Sequence, residues 1–110
     1  MNNKALLDEL YKIGKLPSDN DDVDDFPFDD FHNYLKQIKP PLDYETVIRL
    51  INLSPPVDTG AFGVESTLVH LIEKYENYFD DFQKLMDNTE EGEVKNMLRE
   101  RMKNYLEHNK

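Results

Sequence analysis

The stretch from Asp19 to Phe31 is the part of the sequence with the clearest potential for chemistry. It reads DNDDVDDFPFDDF and combines seven aspartates with three phenylalanines and no Lys or Arg. Carboxylates at alternate positions are the ligands that a hard cation such as Ca²⁺ needs. Counted from Asp19, however, Val23 takes a ligand position of an EF-hand loop and Asp24 takes its glycine position. Asp30 stands where that loop needs a bidentate glutamate, so the pattern favours a solvated acidic loop over a calcium site.

Two histidines lie one helical turn from a carboxylate. His32 follows Asp29 by three residues and His70 precedes Glu73 by three. Each pair therefore shares one face of a helix and could contribute ligands to a metal ion. Two separate pairs are a weak metal signal, and we favour the simpler interpretation that each histidine hydrogen-bonds to a nearby carboxylate.

The nucleophile and phosphate motifs of known enzyme classes do not occur. Ser18, Ser54 and Ser66 lack the sequence of a nucleophile elbow, and the chain has no cysteine. The segment GAFG at 60–63 has neither a strand before it nor the lysine after it that a phosphate-binding loop requires. The sequence therefore predicts a protein that is not an enzyme and that holds no cofactor and no metal.

The stripe formed by Tyr75, Phe79 and Phe82 is open to two interpretations. These side chains could line a ligand pocket between helices. The chain has no tryptophan and few other large side chains, so we expect the stripe to belong to the core.

Composition limits the class of protein further. The chain has 110 residues, 38% of them apolar, with six Phe and six Tyr, which is enough for one domain spanning 1–110 with a single core. Its formal net charge is −10, and the seven aspartates within 16–35 account for most of it. This acidity argues against direct binding of nucleic acid. No segment is typical of a signal peptide or a membrane span, so we expect a cytoplasmic protein that does not contact membranes.

Apolar residues recur at helical spacing through most of the chain. The first predicted helix runs from about 3 to 14, and an acidic loop follows at about 16–26. A second helix begins at Pro27, with Phe28 and Phe31 facing the core and Asp29 and Asp30 facing water. A third helix is predicted after the N-cap Asp43. A long fourth helix is predicted from Val64 through Phe79, and its apolar spacing continues at Phe82, Leu85 and Met86 after a break at Asp80 and Asp81. The last predicted helix spans about 91–108. The predicted fold is all-α, with five or six antiparallel helices.

From Asp43 onward the chain resembles a known family. A short helix ending near Leu53, the helix GVESTLVHLIEKY after a glycine and a last helix around NMLRERMKN are similar to the small helical, HEAT-like immunity proteins of bacterial polymorphic toxin systems. The resemblance implies a compact HEAT-like or irregular bundle. It also implies direct, non-catalytic binding of a cognate toxin, and it transfers no particular functional residue.

The resemblance and the acidic block together suggest a binding surface. Toxins that cut nucleic acids present basic surfaces to phosphate, so an acidic inhibitor can occupy the same surface and associate faster through electrostatic steering. We expect Phe26 to be the exposed aromatic anchor, since a few buried aromatic contacts usually dominate binding. The predicted partner-binding residues are Asp19, Asp21, Asp22, Asp24, Asp25, Phe26, Asp29 and Asp30.

Two alternatives to this immunity function stay open. The chain could be a structural or regulatory module for protein–protein interaction whose acidic loop is merely solvated. It could also be an enzyme or a metal-binding protein that uses Asp29, His32, His70 or Glu73.

Overall fold

The structure is a computed structural model that describes residues 2–19 and 25–108. The regular secondary structure in these ranges is entirely helical. Six helices occur in these ranges, as the prediction of an all-α chain with five or six helices requires. Their bounds are α1 (Asn3–Ile13), α2 (Phe28–Gln37), α3 (Tyr44–Ile51), α4 (Val64–Ile72), α5 (Tyr78–Asp87) and α6 (Glu93–His108).

The starts of α1 and α3 follow the capping rules for short polar side chains. The Asn2 side chain accepts a hydrogen bond from the Ala5 amide at 2.8 Å, and Asp43 accepts one from the Thr46 amide at 2.7 Å. The bond from Thr46 also lowers the pKa of the Asp43 carboxyl. Each bond satisfies an amide that the first turn of a helix leaves without a backbone partner. Gly14 ends α1 at φ +102°, a conformation that favours glycine.

The predicted long helix from Val64 through Phe79 is wrong, because the chain forms two helices there. The break lies at 73–77 and not at Asp80 and Asp81. Those two aspartates instead occupy the first turn of α5, near the positive end of its dipole. The Tyr75 hydroxyl donates to Asp81 Oδ2 at 2.7 Å and bridges the turn. Both Tyr75 and Tyr78 are buried.

The core is built mainly from α1, α2, α3 and α4. Helices α5 and α6 each contribute three buried residues. Phe31 and the leucines of α1 are fully enclosed. Phe79, which we expected in the core, is 58% exposed, and the second half of α6 is largely exposed as well. The most completely buried large side chains are Phe31, Leu6, Leu7, Leu10, Leu16, Leu35, Leu50, Ile51, Leu53, Leu68, Ile72 and Leu85.

The chain after α3 packs tightly against the start of α6. Ser54 Oγ donates to the Pro55 carbonyl at 2.8 Å and accepts from the Val94 amide at 2.8 Å. Gly92 is buried in this corner, and a Cβ atom built there lies 2.6 Å from Ser54 Oγ and 2.9 Å from Ser54 Cβ. Real Cβ atoms do not approach other atoms so closely, so this position accepts only glycine without movement of the backbone.

We predict that Gly92→Ala lowers the free energy of unfolding by about 1–3 kcal/mol, the usual cost of overpacking a close-packed site. Urea unfolding of the variant and the wild type measures this loss. Gly60→Ala is the comparison, since its Cβ meets only side-chain atoms, the carboxylates of Asp19 and Glu65 at 3.2 and 3.4 Å, so we expect it to cost less stability. Equal stability of Gly92→Ala and wild type would contradict the packed corner.

The connection between α5 and α6 is held by charged side chains. Both terminal nitrogens of Arg99 donate to the Glu91 carboxylate at 2.9 Å. Lys95 is buried, donates to the Thr89 carbonyl at 2.8 Å and lies 3.3 Å from Glu91. The hydrogen bonds from Arg99, supported by those from Lys95, lower the pKa of Glu91 from its usual 4.5 to about 2.

We predict that Glu91 contributes to stability only in its charged form. A carboxyl whose pKa is lower in the folded state than in the unfolded state stabilises above the unfolded value and loses this effect as the pH falls. For Glu91 the loss runs from about pH 4.5 down to about pH 2. Glu91→Gln should therefore flatten the pH dependence of the unfolding free energy in this window, whereas Glu100→Gln, which is exposed, should leave it unchanged.

Candidate protein-binding surface

Two carboxylates hold the loop that leads into α4. The Asp19 amide donates to the Gly60 carbonyl at 2.8 Å, and Asp19 Oδ2 accepts from the Phe62 amide at 3.4 Å. From the other side, Glu65 Oε2 accepts from the Ala61 amide at 2.9 Å. The consecutive amides of Ala61 and Phe62 are therefore bound by the side chains of Glu65 and Asp19, which holds the backbone that leads into Phe62.

Phe62 is presented to solvent by an unusual backbone conformation. Its φ is +53°, and Gly63 follows at φ +85°. A left-handed conformation is an outlier for a bulky residue and costs about 1–3 kcal/mol. The side chain is 65% exposed, although phenylalanine is among the most apolar side chains. A strained and exposed aromatic residue is a feature that binding sites share more often than structural loops do.

A line of aromatic rings connects Phe62 to the core. The Phe28 and Phe62 rings meet edge to face with centroids 5.1 Å apart, and Phe26 lies 4.7 Å from Phe28. Phe26 in turn lies 6.0 Å from Phe31, which is fully buried. Edge-to-face pairs contribute about 0.5–1.5 kcal/mol beyond their buried area, so Phe62 is supported as well as exposed.

The expectation that Phe26 is exposed needs correction. Its ring is partly buried, because it packs on Phe28 and Phe31 against the core. Phe62 is the exposed aromatic residue of this region, and sequence reasoning missed it. The flanking glycines of GAFG indicated a loop, but no feature of the sequence indicates that Phe62 itself takes the left-handed conformation.

The predicted acidic residues fall into three groups. Asp25 is exposed beside Phe26, and Asp29 and Asp30 are exposed in the first turn of α2. Asp19 is only partly exposed, because its carboxylate holds the loop at Phe62. The remaining predicted aspartates lie outside the described residues; they are Asp21, Asp22 and Asp24.

The exposed aspartates are available to a partner. None of the ion pairs found among residues 2–19 and 25–108 involves Asp25, Asp29 or Asp30. Phe28, the residue before Asp29, touches Phe62, so the first turn of α2, with its exposed carboxylates, adjoins the loop that carries Phe62. We call this region the aromatic–acidic surface and define it as Asp25, Phe26, Phe28, Asp29, Asp30 and Phe62.

The two histidines considered from the sequence differ in their partners. His32 Nε2 lies 3.2 Å from Thr67 Oγ1, and its bond is to this hydroxyl and not to Asp29. His70 Nδ1 lies 3.9 Å from a Glu73 oxygen, but Glu73 accepts two hydrogen bonds of 2.8 Å from Arg101. In the part of the chain that the structure describes, no three His, Asp or Glu side chains are grouped so that they could hold a metal ion.

Comparisons with known proteins add no relative. No family model, no curated protein and no solved structure matches the chain. None of the described helices is both long enough and apolar enough to cross a membrane.

We predict that Phe62→Gly is more stable than Phe62→Ala by about 1 kcal/mol, because alanine keeps the left-handed strain that glycine avoids. Urea unfolding of both variants tests this order. Val57 is the control position, because its φ is not positive and it lies in the same connection. At Val57 alanine should be the more stable variant, and the same order at Phe62 would contradict the strained conformation.

Proposed function

We propose that this protein is an acidic binding protein of the immunity type, which neutralises a toxin by occupying a basic surface of that toxin. The observation that carries the proposal is the aromatic–acidic surface, where exposed Phe62 contacts Phe28 and where Asp25, Asp29 and Asp30 are exposed and form no ion pair within residues 2–19 and 25–108. The mechanism needs no catalysis by this chain. The partner is a protein with a basic surface, such as a nuclease-like toxin, and the setting is the bacterial cytoplasm.

The charge of the chain supports the encounter step. A formal net charge of −10 creates a field that attracts a basic partner over about one Debye length, roughly 8–10 Å at physiological salt. Asp25, Asp29 and Asp30 concentrate that field at the aromatic rings. A substrate-binding face of a nuclease must carry positive charge to hold phosphate, so it is complementary to this surface.

The aromatic residues support the bound state. Binding energy at protein interfaces concentrates in a few aromatic residues that become desolvated, and Phe62 has most of its surface free to be buried. Asp19 and Glu65 fix the backbone beneath Phe62 before binding. Less conformational entropy is then lost on association, which favours affinity.

The segment that carries the family resemblance includes only part of this surface. Phe62 and α4 lie inside the segment from Asp43 onward that resembles the HEAT-like immunity proteins. A HEAT-like, antiparallel arrangement of the six helices belongs to the same proposal. The acidic residues before Asp43 would then be this chain's own addition for recognition of its particular partner.

Co-expression with the product of the gene immediately upstream tests the function. We expect that product to kill cells when expressed alone and to be silenced, in a stable complex, by this protein. A harmless upstream product, or survival without a complex, would contradict the immunity function. In that case a structural or regulatory interaction module with a solvated acidic loop is the better description.

Two variants separate the roles of charge and aromatic contact in that complex. Replacing Asp25, Asp29 and Asp30 by Asn should slow association about tenfold at low salt and flatten its salt dependence. Phe62→Ala should instead raise the dissociation rate about 30-fold, the effect of losing an interface hot spot. Surface plasmon resonance over a range of salt concentrations measures both rates.

Each variant has a control of the same chemical kind. Replacing Glu76, Glu100 and Glu107 by Gln changes the net charge by the same amount at exposed positions elsewhere. Phe79→Ala removes another exposed aromatic residue, on α5. If these controls alter the rates as much as the test variants do, the aromatic–acidic surface is not the binding face.

A further inference from the structure

A second candidate site lies between α5 and α6, independent of the aromatic–acidic surface. An open cavity of about 440 Å³ is lined there by the rings of Tyr78, Phe79 and Tyr105 and by Met102, with Glu73 and Arg101 beside them. This volume is within the range that small-molecule sites occupy, roughly 300–1,000 Å³. The mostly apolar wall with a few polar groups is also typical of such sites.

The Tyr78 hydroxyl is an unexplained polar group at this cavity. The residue is 4% exposed, and its hydroxyl has no hydrogen-bond partner among the described residues. Buried hydroxyls in proteins are almost always hydrogen-bonded, because an unpaired one loses its hydration without compensation. A ligand that offers this hydroxyl a partner would therefore be favoured over one that does not.

The charges around Tyr78 limit the kind of partner. Burial raises the pKa of the hydroxyl, and the nearby Glu73 carboxylate raises it further while Arg101 opposes this effect. The hydroxyl therefore keeps its proton at neutral pH and acts as a donor. Arg101 donates two hydrogen bonds of 2.8 Å to Glu73, so its charge is already compensated and gives little attraction for an anion.

We propose that the cavity between α5 and α6 binds a small neutral molecule with an aromatic or aliphatic body and a carbonyl oxygen, which accepts a hydrogen bond from Tyr78. The apolar body packs against Phe79, Tyr105 and Met102. The hydroxyl is closed off from solvent, so rim side chains must shift to admit the oxygen. Phe79 is suited to this movement, because its side chain is 58% exposed and is not enclosed by the core.

Three probes of one shape test the proposal. Acetophenone offers a neutral carbonyl, ethylbenzene has no acceptor, and benzoate carries a negative charge. Each is titrated into the ¹⁵N-labelled protein, and the amide shifts in the NMR spectrum give the affinity and the place of binding. We expect acetophenone to shift the amides of Tyr78, Met102 and Tyr105 in a saturable way, and to bind at least threefold more tightly than either other probe.

Two variants make the test specific to the hydroxyl and the cavity. Tyr78→Phe should raise the melting temperature of the free protein, because it removes a buried hydroxyl that has no partner among the described residues. The same variant should lower the affinity for acetophenone about threefold to tenfold. Asn104→Trp should fill the cavity mouth and abolish binding, whereas Glu100→Trp on the same helix lies away from this cavity and should not. A purely structural Tyr78 would change the melting temperature without changing the order of the probes.

The proposal is overturned if no probe gives saturable shifts at these amides. It is also overturned if ethylbenzene binds as well as acetophenone, or if Tyr78→Phe binds acetophenone as tightly as wild type. None of these results depends on the aromatic–acidic surface, so a failure here leaves the proposed toxin-binding function to its own test.

Discussion

The hydrogen bonds from the amides of Ala61 and Phe62 to Glu65 and Asp19 are the interactions on which the candidate surface depends. The bond to Asp19 joins the acidic N-terminal segment to the loop at 60–63 across 43 residues of sequence, whereas the bond to Glu65 is local, to the first turn of α4. Together they hold the peptide units that lead into the left-handed Phe62. The carboxylates therefore do more than add charge, because they also determine where an aromatic ring meets solvent.

The strain at Phe62 is small compared with what the rest of the fold supplies. A cost of about 1–3 kcal/mol can be sustained because the core below is continuous from α1 through α4. The ring of Phe28 links the strained residue to that core by direct contact. At the other end of the same connection, Ser54 and Gly92 fix the chain against α6. The connection between α3 and α4 is thus tightly packed at Ser54 and exposes the Phe62 side chain near its end.

Sequence periodicity was sufficient for most helices and for much of the core. The capping residue Asp43 and the stop at Gly14 have local causes, so α1 and α3 were predictable close to their observed bounds. The break between α4 and α5 was not, because apolar spacing continues from Leu71 to Tyr75 across it. The hydrogen bond from the Tyr75 hydroxyl to Asp81 bridges the turn between residues six apart, and the apolar pattern does not indicate it.

The candidate surface was predictable in its charge but not in its aromatic part. Asp25, Asp29 and Asp30 are exposed as expected, since a block without basic residues has no local partners. Phe26 is partly buried although we expected it to be exposed, and the exposure of Phe62 was not predicted. Which of two phenylalanines in loops is buried depends on the path of both loops over the core, and that path is decided by contacts distant in sequence.

NMR spectroscopy of the free protein tests most directly whether Phe62 is held ready for binding. A left-handed residue gives a strong nuclear Overhauser effect between its own amide and α protons, and the rings of Phe28 and Phe62 should show effects between them. We predict both signals in wild type and their loss when Asp19 and Glu65 are both replaced by Ala, which removes the two acceptors. Averaged signals at Phe62 in the wild type, or signals unchanged by the double replacement, would contradict the account.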